Sequence, residues 1–238
     1  MCLILYSTTS GAFAALTPDH LRRAWDGNPD GFGMAYRVKK KDRVHVEKGF
    51  MSLAKAEKAI DALRLLNPVE VALHFRFATH GSAKPRLTHP FETDHGAFIH
   101  NGVLSLSSMD LDPAGSDTST LARMLRGVRP ADARVLSEPY RNGSRLLYMA
   151  HKPSQTWRKG DWHKTTILGL VMSQAYTLPE LKAYKEPTIA WSKTSYAPWP
   201  QDSLPVDSAS LMARYRANRV VPLPPMDELT PDDGGFGL

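Results

Sequence analysis

Three segments of the chain repeat apolar residues at the three- to four-residue spacing of one helix face. The longest, SLAKAEKAIDALRLLNP (residues 52–68), keeps this spacing until an Asn-Pro pair ends it. LTPDHLRRAW (16–25) offers Thr17 as the N-cap, with proline and aspartate in the first turn. SDTSTLARMLRG (116–127) begins at a Ser/Asp/Thr cluster and ends at a glycine. We predict three helices from these patterns.

Segments rich in β-branched and aromatic residues predict strands at residues 2–7, 32–38, 43–47, 69–77, 96–100, 145–150 and 165–172. These strands outnumber the helices, and several follow one another directly. That order favours an α+β fold with antiparallel pairing over a repeated β-α-β arrangement. The densest basic run, Lys39-Lys40-Lys41, lies between two predicted strands and is interpreted as an exposed hairpin turn.

The C-terminal part of the chain changes in character from about Ser192. We predict one domain over residues 2–196 and a tail rich in Pro, Asp and Gly over residues 197–238. Within the tail, residues 208–221 have the pattern of one short helix. Residues 151–187 match no motif, and a lid, a partner surface and an additional pair of strands are all open interpretations.

The composition is that of an ordinary globular protein, because 42% of the 238 residues are hydrophobic and 23% are charged. No apolar run approaches the roughly 20 residues of a membrane-spanning helix, so no membrane association is expected. Cys2 is the single cysteine and cannot form an internal disulfide, which predicts a cytoplasmic protein. The net charge of +6 raises the question of nucleic acid. However, the basic residues are scattered and no nucleic-acid-binding motif is present, so no such partner is expected.

Cys2 is the candidate nucleophile. If Met1 is removed, Cys2 carries both a thiol and a free α-amine, whose ordinary pKa of about 7.7–8.0 lets it accept the thiol proton near neutral pH. A cysteine on its own is more often a small buried hydrophobic residue, and residue 2 alone leaves both interpretations open. A nucleophile that cleaves amides also needs an oxyanion hole and groups that hold the substrate.

The segment HFRFATHG (74–81) resembles the signature of class II glutamine amidotransferases, a family of N-terminal-nucleophile hydrolases. Four further segments resemble the family as well: NPDGFGMAY (28–36), THPF (88–91), IHNGVL (99–104) and SDTSTLA (116–122). The likeness covers residues 2–125, and WSKTSY (191–196) is a fainter likeness to the family's closing strand.

The resemblance implies an α+β fold, a four-layer αββα sandwich of two antiparallel sheets. It also implies a reaction. Cys2 attacks the side-chain amide of glutamine, ammonia leaves, and water hydrolyses the γ-glutamyl thioester to glutamate, with no cofactor. No ATP-binding or sugar-isomerase motif accompanies these segments. The ammonia acceptor is therefore expected on a separate synthase or amide-forming ligase, docked through residues 151–187 or the tail.

The resemblance also assigns roles to residues of this chain. Asn101 and Gly102 would form the oxyanion hole, while Arg76 and Asp117 would hold the α-carboxylate and α-ammonium groups of glutamine. The turn after Arg76 would shape the pocket, through Phe77, Thr79, His80 and Gly81. Phe77 stands where better-known members carry tryptophan, which keeps an apolar wall but removes an indole donor.

Three alternatives stay open beside this interpretation. The protein could be a catalytically silent scaffold that binds a partner, or a hydrolase of the same fold that acts on another amide. The third is a metal site, since histidines recur along the middle of the chain, at His74, His80, His89, His95 and His100. No HExxH motif or Cys/His ligand set accompanies them, so no metal is expected.

Overall fold

The computed structural model describes residues 2–79, 83–106 and 115–183. All of them belong to one compact unit, Met1–Glu186. The predicted tail (197–238), the WSKTSY segment, His80 and Gly81 lie outside the described residues. Within the described ranges, no helix combines the length and the apolar character needed to cross a bilayer.

The fold is α+β and contains two antiparallel sheets, as predicted. The strands are β1 Leu3–Ser7, β2 Phe32–Arg37, β3 His45–Phe50, β4 Glu70–Phe75, β5 Phe91–Thr93, β6 Gly96–Asn101, β7 Arg145–Ala150, β8 Trp157–Lys159, β9 His163–Lys164 and β10 Leu170–Met172. The helices are α1 Ser10–Ala14, α2 Pro18–Gly27, α3 Leu53–Leu65, α4 Asp117–Met124 and α5 Pro130–Leu136. The six-stranded sheet has the order β3-β2-β4-β1-β10-β9, and the four-stranded sheet has the order β5-β6-β7-β8. The lysine run at 39–41 lies in the connection between β2 and β3, which pair as an antiparallel hairpin.

Helix ends follow the capping residues that the sequence provides. The Thr17 hydroxyl accepts a hydrogen bond from the amide three residues on, at 3.2 Å, and caps α2 as predicted. Helix α3 ends just before Asn67 and the proline that follows it. Helix α4 is capped by Ser116 and ends at Met124, earlier than the predicted Gly127.

The predicted strand over residues 165–172 is shorter than expected, because only Leu170–Met172 pairs in the sheet. Gly169 has a φ of +88°, a left-handed conformation that interrupts an extended strand. Strands β5, β8 and β9 contain only two or three residues, too few to give an alternating pattern in the sequence. Strand β8 extends one sheet, while β9 and β10 extend the other. Residues 151–183 therefore complete both sheets.

Three hydrophobic clusters hold these elements together. One joins the six-stranded sheet to α1–α3 and includes Phe75 and Ile60. A second joins the four-stranded sheet to α4 and α5 and includes Leu121. The third contains residues of both sheets, such as Ile4 and Ile99. Alternate residues of β1 divide between the first and third clusters, because successive side chains of a strand point to opposite faces.

A buried ion pair lies among the polar groups of these sheets. Arg37 Nε contacts Glu70 Oε2 at 2.9 Å, and the Arg37 side chain is 1% exposed. The Tyr6 hydroxyl donates to Glu70 Oε1 at 2.5 Å, and Arg37 also donates to the carbonyl oxygens of Ala150 and His151. Burial, together with the Glu70 carboxylate, raises the pKa of Tyr6. Because Arg37 ends β2 and Ala150 ends β7, this network links the two sheets.

Candidate active site

Segments that are far apart in the chain bring most of the predicted site residues to one small pocket. Those that line it are Cys2, Arg76, Phe77, Thr79, Gly102 and Asp117. Leu3 of β1 is paired with Phe75 of β4, so the residue before β1 and the residues after β4 emerge together. Gly102 follows β6, and Asp117 begins α4. His80 and Gly81 belong to the segment outside the described residues.

The Cys2 sulfur lies against the backbone of the turn that follows β4. Its Sγ accepts a hydrogen bond from the Phe77 amide at 3.3 Å and lies 3.4 Å from the Phe77 carbonyl oxygen. Burial raises the pKa of the Cys2 thiol, although the Phe77 amide and the Arg76 guanidinium act in the opposite direction. A thiol with a raised pKa stays protonated at neutral pH, so Cys2 needs a base before it can act as a nucleophile.

Asp30 and Gly31 shape the turn that carries Arg76. The Arg76 amide donates to the Gly31 carbonyl at 2.8 Å, and the Asp30 amide donates to the Arg76 carbonyl at 2.9 Å. The Asp30 carboxylate accepts a hydrogen bond from the Ala78 amide, also at 2.8 Å. The NPDG segment therefore fixes the backbone on both sides of Phe77, whose amide contacts the cysteine sulfur.

Replacing Asp30 with alanine is expected to displace the 76–78 turn, which misplaces Arg76 and the Cys2 contact together. The loss of an acceptor for the Ala78 amide is expected to cost about 1–3 kcal/mol of unfolding free energy. Asp30→Asn is the matched control, since its side-chain oxygen can still accept from Ala78. Denaturant unfolding checks both variants, and equal stability of Asp30→Ala and wild type would contradict this role.

Asp117 does not act as the cap of its own helix, because Ser116 does. The Ser116 hydroxyl accepts from the Ser119 amide at 3.1 Å, and the Ser119 hydroxyl accepts from the Ser116 amide at 2.7 Å. The Asp117 carboxylate instead accepts from the Leu104 amide at 2.9 Å and from the Thr118 amide at 2.7 Å. These contacts tie the start of α4 to the segment that follows Gly102, and they hold a carboxylate at the pocket.

Gly102 lies where a side chain does not fit. Its φ is +140°, and a Cβ built on its backbone would lie 2.2 Å from Ser144 Oγ and 3.0 Å from Ser144 Cα. Asn101 is fully buried, and its Nδ2 lies 2.8 Å from Ser173 Oγ. Gly102 lines the pocket, whereas Asn101 is not among the described residues that line it.

Two buried histidines, His89 and His100, line this pocket, and a third, His74, is in contact with His89. The ring centroids of His74 and His89 are 4.0 Å apart. Burial lowers the pKa of His74 to about 3 and that of His100 to about 4, and it lowers the pKa of His89 well below its ordinary value. His100 Nδ1 is 2.8 Å from the Thr118 hydroxyl. All three rings are therefore neutral near pH 7.

The histidines do not assemble into a metal site in the part of the chain that the structure describes, where no group of three or more His, Cys, Asp or Glu side chains could hold an ion. The sequence pattern singled out His74 and His89 without indicating that their rings are in contact. It also gave no role to Ser173, which contacts both Asn101 and the first strand. The one available signal for Ser173 is its position directly after a predicted strand.

Comparison with solved structures supports the fold. The chain is similar to glutamine phosphoribosylpyrophosphate (PRPP) amidotransferase from B. subtilis, solved in complex with ADP and GMP, with a TM-score of 0.50 and 16% sequence identity. The match covers 76% of this chain and only 43% of that enzyme's chain. No protein-family model matches the sequence, and no curated protein matches it. Most of this chain is thus similar in fold to part of a glutamine amidotransferase.

Proposed function

We propose that this protein is a glutamine amidotransferase domain that releases ammonia from glutamine at Cys2. The observation that carries the proposal is the convergence of Cys2, Arg76, Gly102 and Asp117 on one pocket from four separate segments. Each of these residue types suits a group of glutamine or of its tetrahedral intermediate. The three hydrophobic clusters support the finer expectation of a four-layer αββα sandwich.

The reaction begins with activation of the thiol. Burial keeps the Cys2 thiol protonated, so the α-amine exposed by removal of Met1 accepts its proton, directly or through water. The sulfur then attacks the side-chain amide carbon of glutamine. The Gly102 amide and the Asn101 side chain donate to the oxyanion, and the loss of one such donor typically costs about 10²–10³ in rate. The α-amine passes the thiol proton on to the amide nitrogen, which leaves as ammonia, and water hydrolyses the γ-glutamyl thioester to glutamate and the free thiol.

Arg76 and Asp117 select the substrate in this proposal. The Arg76 guanidinium is planar and pairs with the α-carboxylate of glutamine through two parallel hydrogen bonds. The Asp117 carboxylate accepts from the α-ammonium group. Because both ends of a free amino acid are engaged, glutamine is favoured over amides that lack this head group. Phe77 and Thr79 complete the wall beside the nucleophile, and His80 and Gly81 keep the pocket role that the resemblance implies.

The user of the ammonia is proposed to be a separate protein. Strands β8, β9 and β10, within residues 151–183, belong to the two sheets. A synthase or amide-forming ligase, docked through residues 151–187 or the tail, would supply the acceptor. The cytoplasmic location expected from the single cysteine stays a prediction.

The intact mass of the purified protein, before and after exposure to the glutamine analogue 6-diazo-5-oxo-L-norleucine, tests the proposal directly. We expect loss of Met1 and one covalent adduct, located on the N-terminal peptide, together with release of ammonia from glutamine. Retention of Met1 would contradict the role of the α-amine. Loss of Met1 without an adduct or ammonia release would favour the catalytically silent scaffold, and cleavage of other amides but not glutamine would favour the broader hydrolase.

A further inference from the structure

Ser173 lies at a buried hydrogen-bond junction between the first strand and Asn101. Its hydroxyl oxygen is 2.9 Å from the Ile4 amide nitrogen and 2.8 Å from Asn101 Nδ2. The Ser173 amide also donates to the Ile4 carbonyl at 3.0 Å. Ser173 and Asn101 are both fully buried. Ile4 is only two residues from Cys2, so the junction connects the Asn101 side chain to the strand that carries the nucleophile.

The donors and acceptors of Ser173 and Asn101 do not balance when Asn101 Nδ2 faces the serine. A serine hydroxyl offers one donor and two acceptor sites. The Ile4 amide can only donate, so it occupies one acceptor site of Ser173 Oγ. If Asn101 Nδ2 donates to the other site, the buried Asn101 Oδ1 has no hydrogen-bond partner within residues 2–79, 83–106 and 115–183. No acceptor for the Ser173 proton other than Asn101 occurs in those ranges either.

The opposite orientation of the amide gives the Ser173 proton an acceptor and turns Nδ2, in place of Oδ1, to the side where no partner occurs in the described ranges. Turning the Asn101 amide by 180° exchanges two atoms of nearly equal size, so the 2.8 Å contact is kept. Ser173 then donates to Asn101 Oδ1, and the hydrogen bonds run in one direction, from the Ile4 amide to the serine oxygen and from the serine proton to Oδ1. Both protons of Nδ2 then lack an acceptor in the described ranges, and an oxyanion bound beside Gly102, which lines the pocket, would supply one.

We propose that Ser173 is a positioning residue that fixes this orientation of Asn101 and so aims the amide donors at the oxyanion. The inference rests on the proposed function for the reaction that it serves. The Ile4 amide occupies one acceptor site of Ser173, and the serine proton, which has no other acceptor in the described ranges, sets the direction of the second hydrogen bond by donating to Oδ1. Donation from the Ser173 hydroxyl to Oδ1 holds Asn101 in this orientation, and a residue without a hydroxyl proton cannot provide it.

A double-mutant cycle in the full-length protein tests the coupling between the two side chains. Asn101→Ala is expected to lower kcat for glutamine hydrolysis by about 10²–10³. Ser173→Ala is expected to lower kcat by roughly 10-fold or more with little change in KM, since the donor acts on the transition state and not on bound glutamine. The variant that carries both changes is expected to be no slower than Asn101→Ala alone.

Ser173→Thr is the conservative variant, because it keeps the hydroxyl proton and should restore most of the lost kcat. Thermal unfolding of each variant separates this role from a loss of packing. Independent, multiplying effects of the two alanine substitutions would overturn the proposal. So would a Ser173→Thr variant that is stable but as slow as Ser173→Ala.

A readout that needs no activity separates this inference from the proposed function. In the nuclear magnetic resonance spectrum, the Asn101 amide protons are expected to give weak or absent Overhauser effects to the Ser173 β protons, since Oδ1 and not Nδ2 faces the serine. Strong effects between these protons would overturn the proposed orientation. A wild-type protein that shows the expected pattern but releases no ammonia would contradict the proposed function and leave the role of Ser173 in orienting Asn101 supported.

Discussion

Replacing Cys2 with serine is expected to lower glutamine hydrolysis by at least about 10³-fold and to abolish covalent labelling by 6-diazo-5-oxo-L-norleucine. Serine keeps the size and the hydrogen-bonding capacity of the side chain, so contacts with the Phe77 backbone can persist. The hydroxyl is a far weaker nucleophile than a thiol activated by an adjacent amine. Steady-state ammonia release and intact mass measure the two effects.

A second variant separates the thiol from the α-amine. A glycine inserted between Met1 and Cys2 keeps the thiol but moves the free amine to another residue, so a loss of about 10²–10⁴ is expected. Because Cys2 is the single cysteine of the chain, a thiol reagent applied to the denatured protein counts that thiol alone. Near-normal ammonia release by the serine variant would contradict Cys2 as the nucleophile, and near-normal release by the glycine variant would contradict the amine as its base.

Much of the fold could be predicted because its signals are local. The Thr17 cap, the Asn-Pro stop after α3 and the lysine run between β2 and β3 are each encoded within a few adjacent residues. Most of the elements that were missed lack such signals, but α1 was missed although Thr9 caps it. Strands β5, β8 and β9 are held by their neighbours in the sheet, and α5 begins at a proline without a side-chain cap. The strand predicted over 165–172 is shortened by Gly169, whose left-handed backbone conformation the apolar pattern does not reveal.

The candidate site likewise contains residues that short motifs predict and supporting contacts that they do not. Cys2, Arg76, Gly102 and Asp117 lie in short motifs that a resemblance can transfer residue by residue, and the structure brings them to one pocket. The contacts that support them are long-range. Asn101 meets Ser173 across 72 positions of sequence. Such pairs are set by strand order and register, in this case by β10 lying beside β1, and no local pattern specifies them.

Lowering the pH from 7.5 towards 5 is expected to destabilise the protein through the three buried histidines. An unfolded histidine has a pKa of about 6.5 and binds a proton as the pH falls below that value. In the folded protein, burial holds the pKa of His74 at about 3 and that of His100 at about 4, and His89 is shifted in the same direction. The unfolded state therefore binds more protons than the folded state between about pH 6.5 and pH 4. The free energy of unfolding falls over that window by up to about 1.4 kcal/mol per pH unit for each histidine, and the contribution is fully present only above pH 6.5.

His89→Phe tests this explanation most sharply, because neither ring nitrogen of His89 has a hydrogen-bond partner among the described residues. A phenyl ring fills similar space without a buried polar group, so unfolding free energy at pH 7.5 is expected to stay equal or to rise. Between pH 6.5 and pH 5, the slope of unfolding free energy against pH is expected to decrease by up to about 1.4 kcal/mol per pH unit, the contribution of one histidine. The same substitution at His45, which is exposed on β3, is the control for losing a histidine elsewhere. Urea unfolding curves across this range give the slopes, and an unchanged slope in His89→Phe would mean that His89 is not the source of the acid sensitivity. An equal decrease of the slope in His89→Phe and His45→Phe would show that burial of the histidine is not the cause of the acid sensitivity.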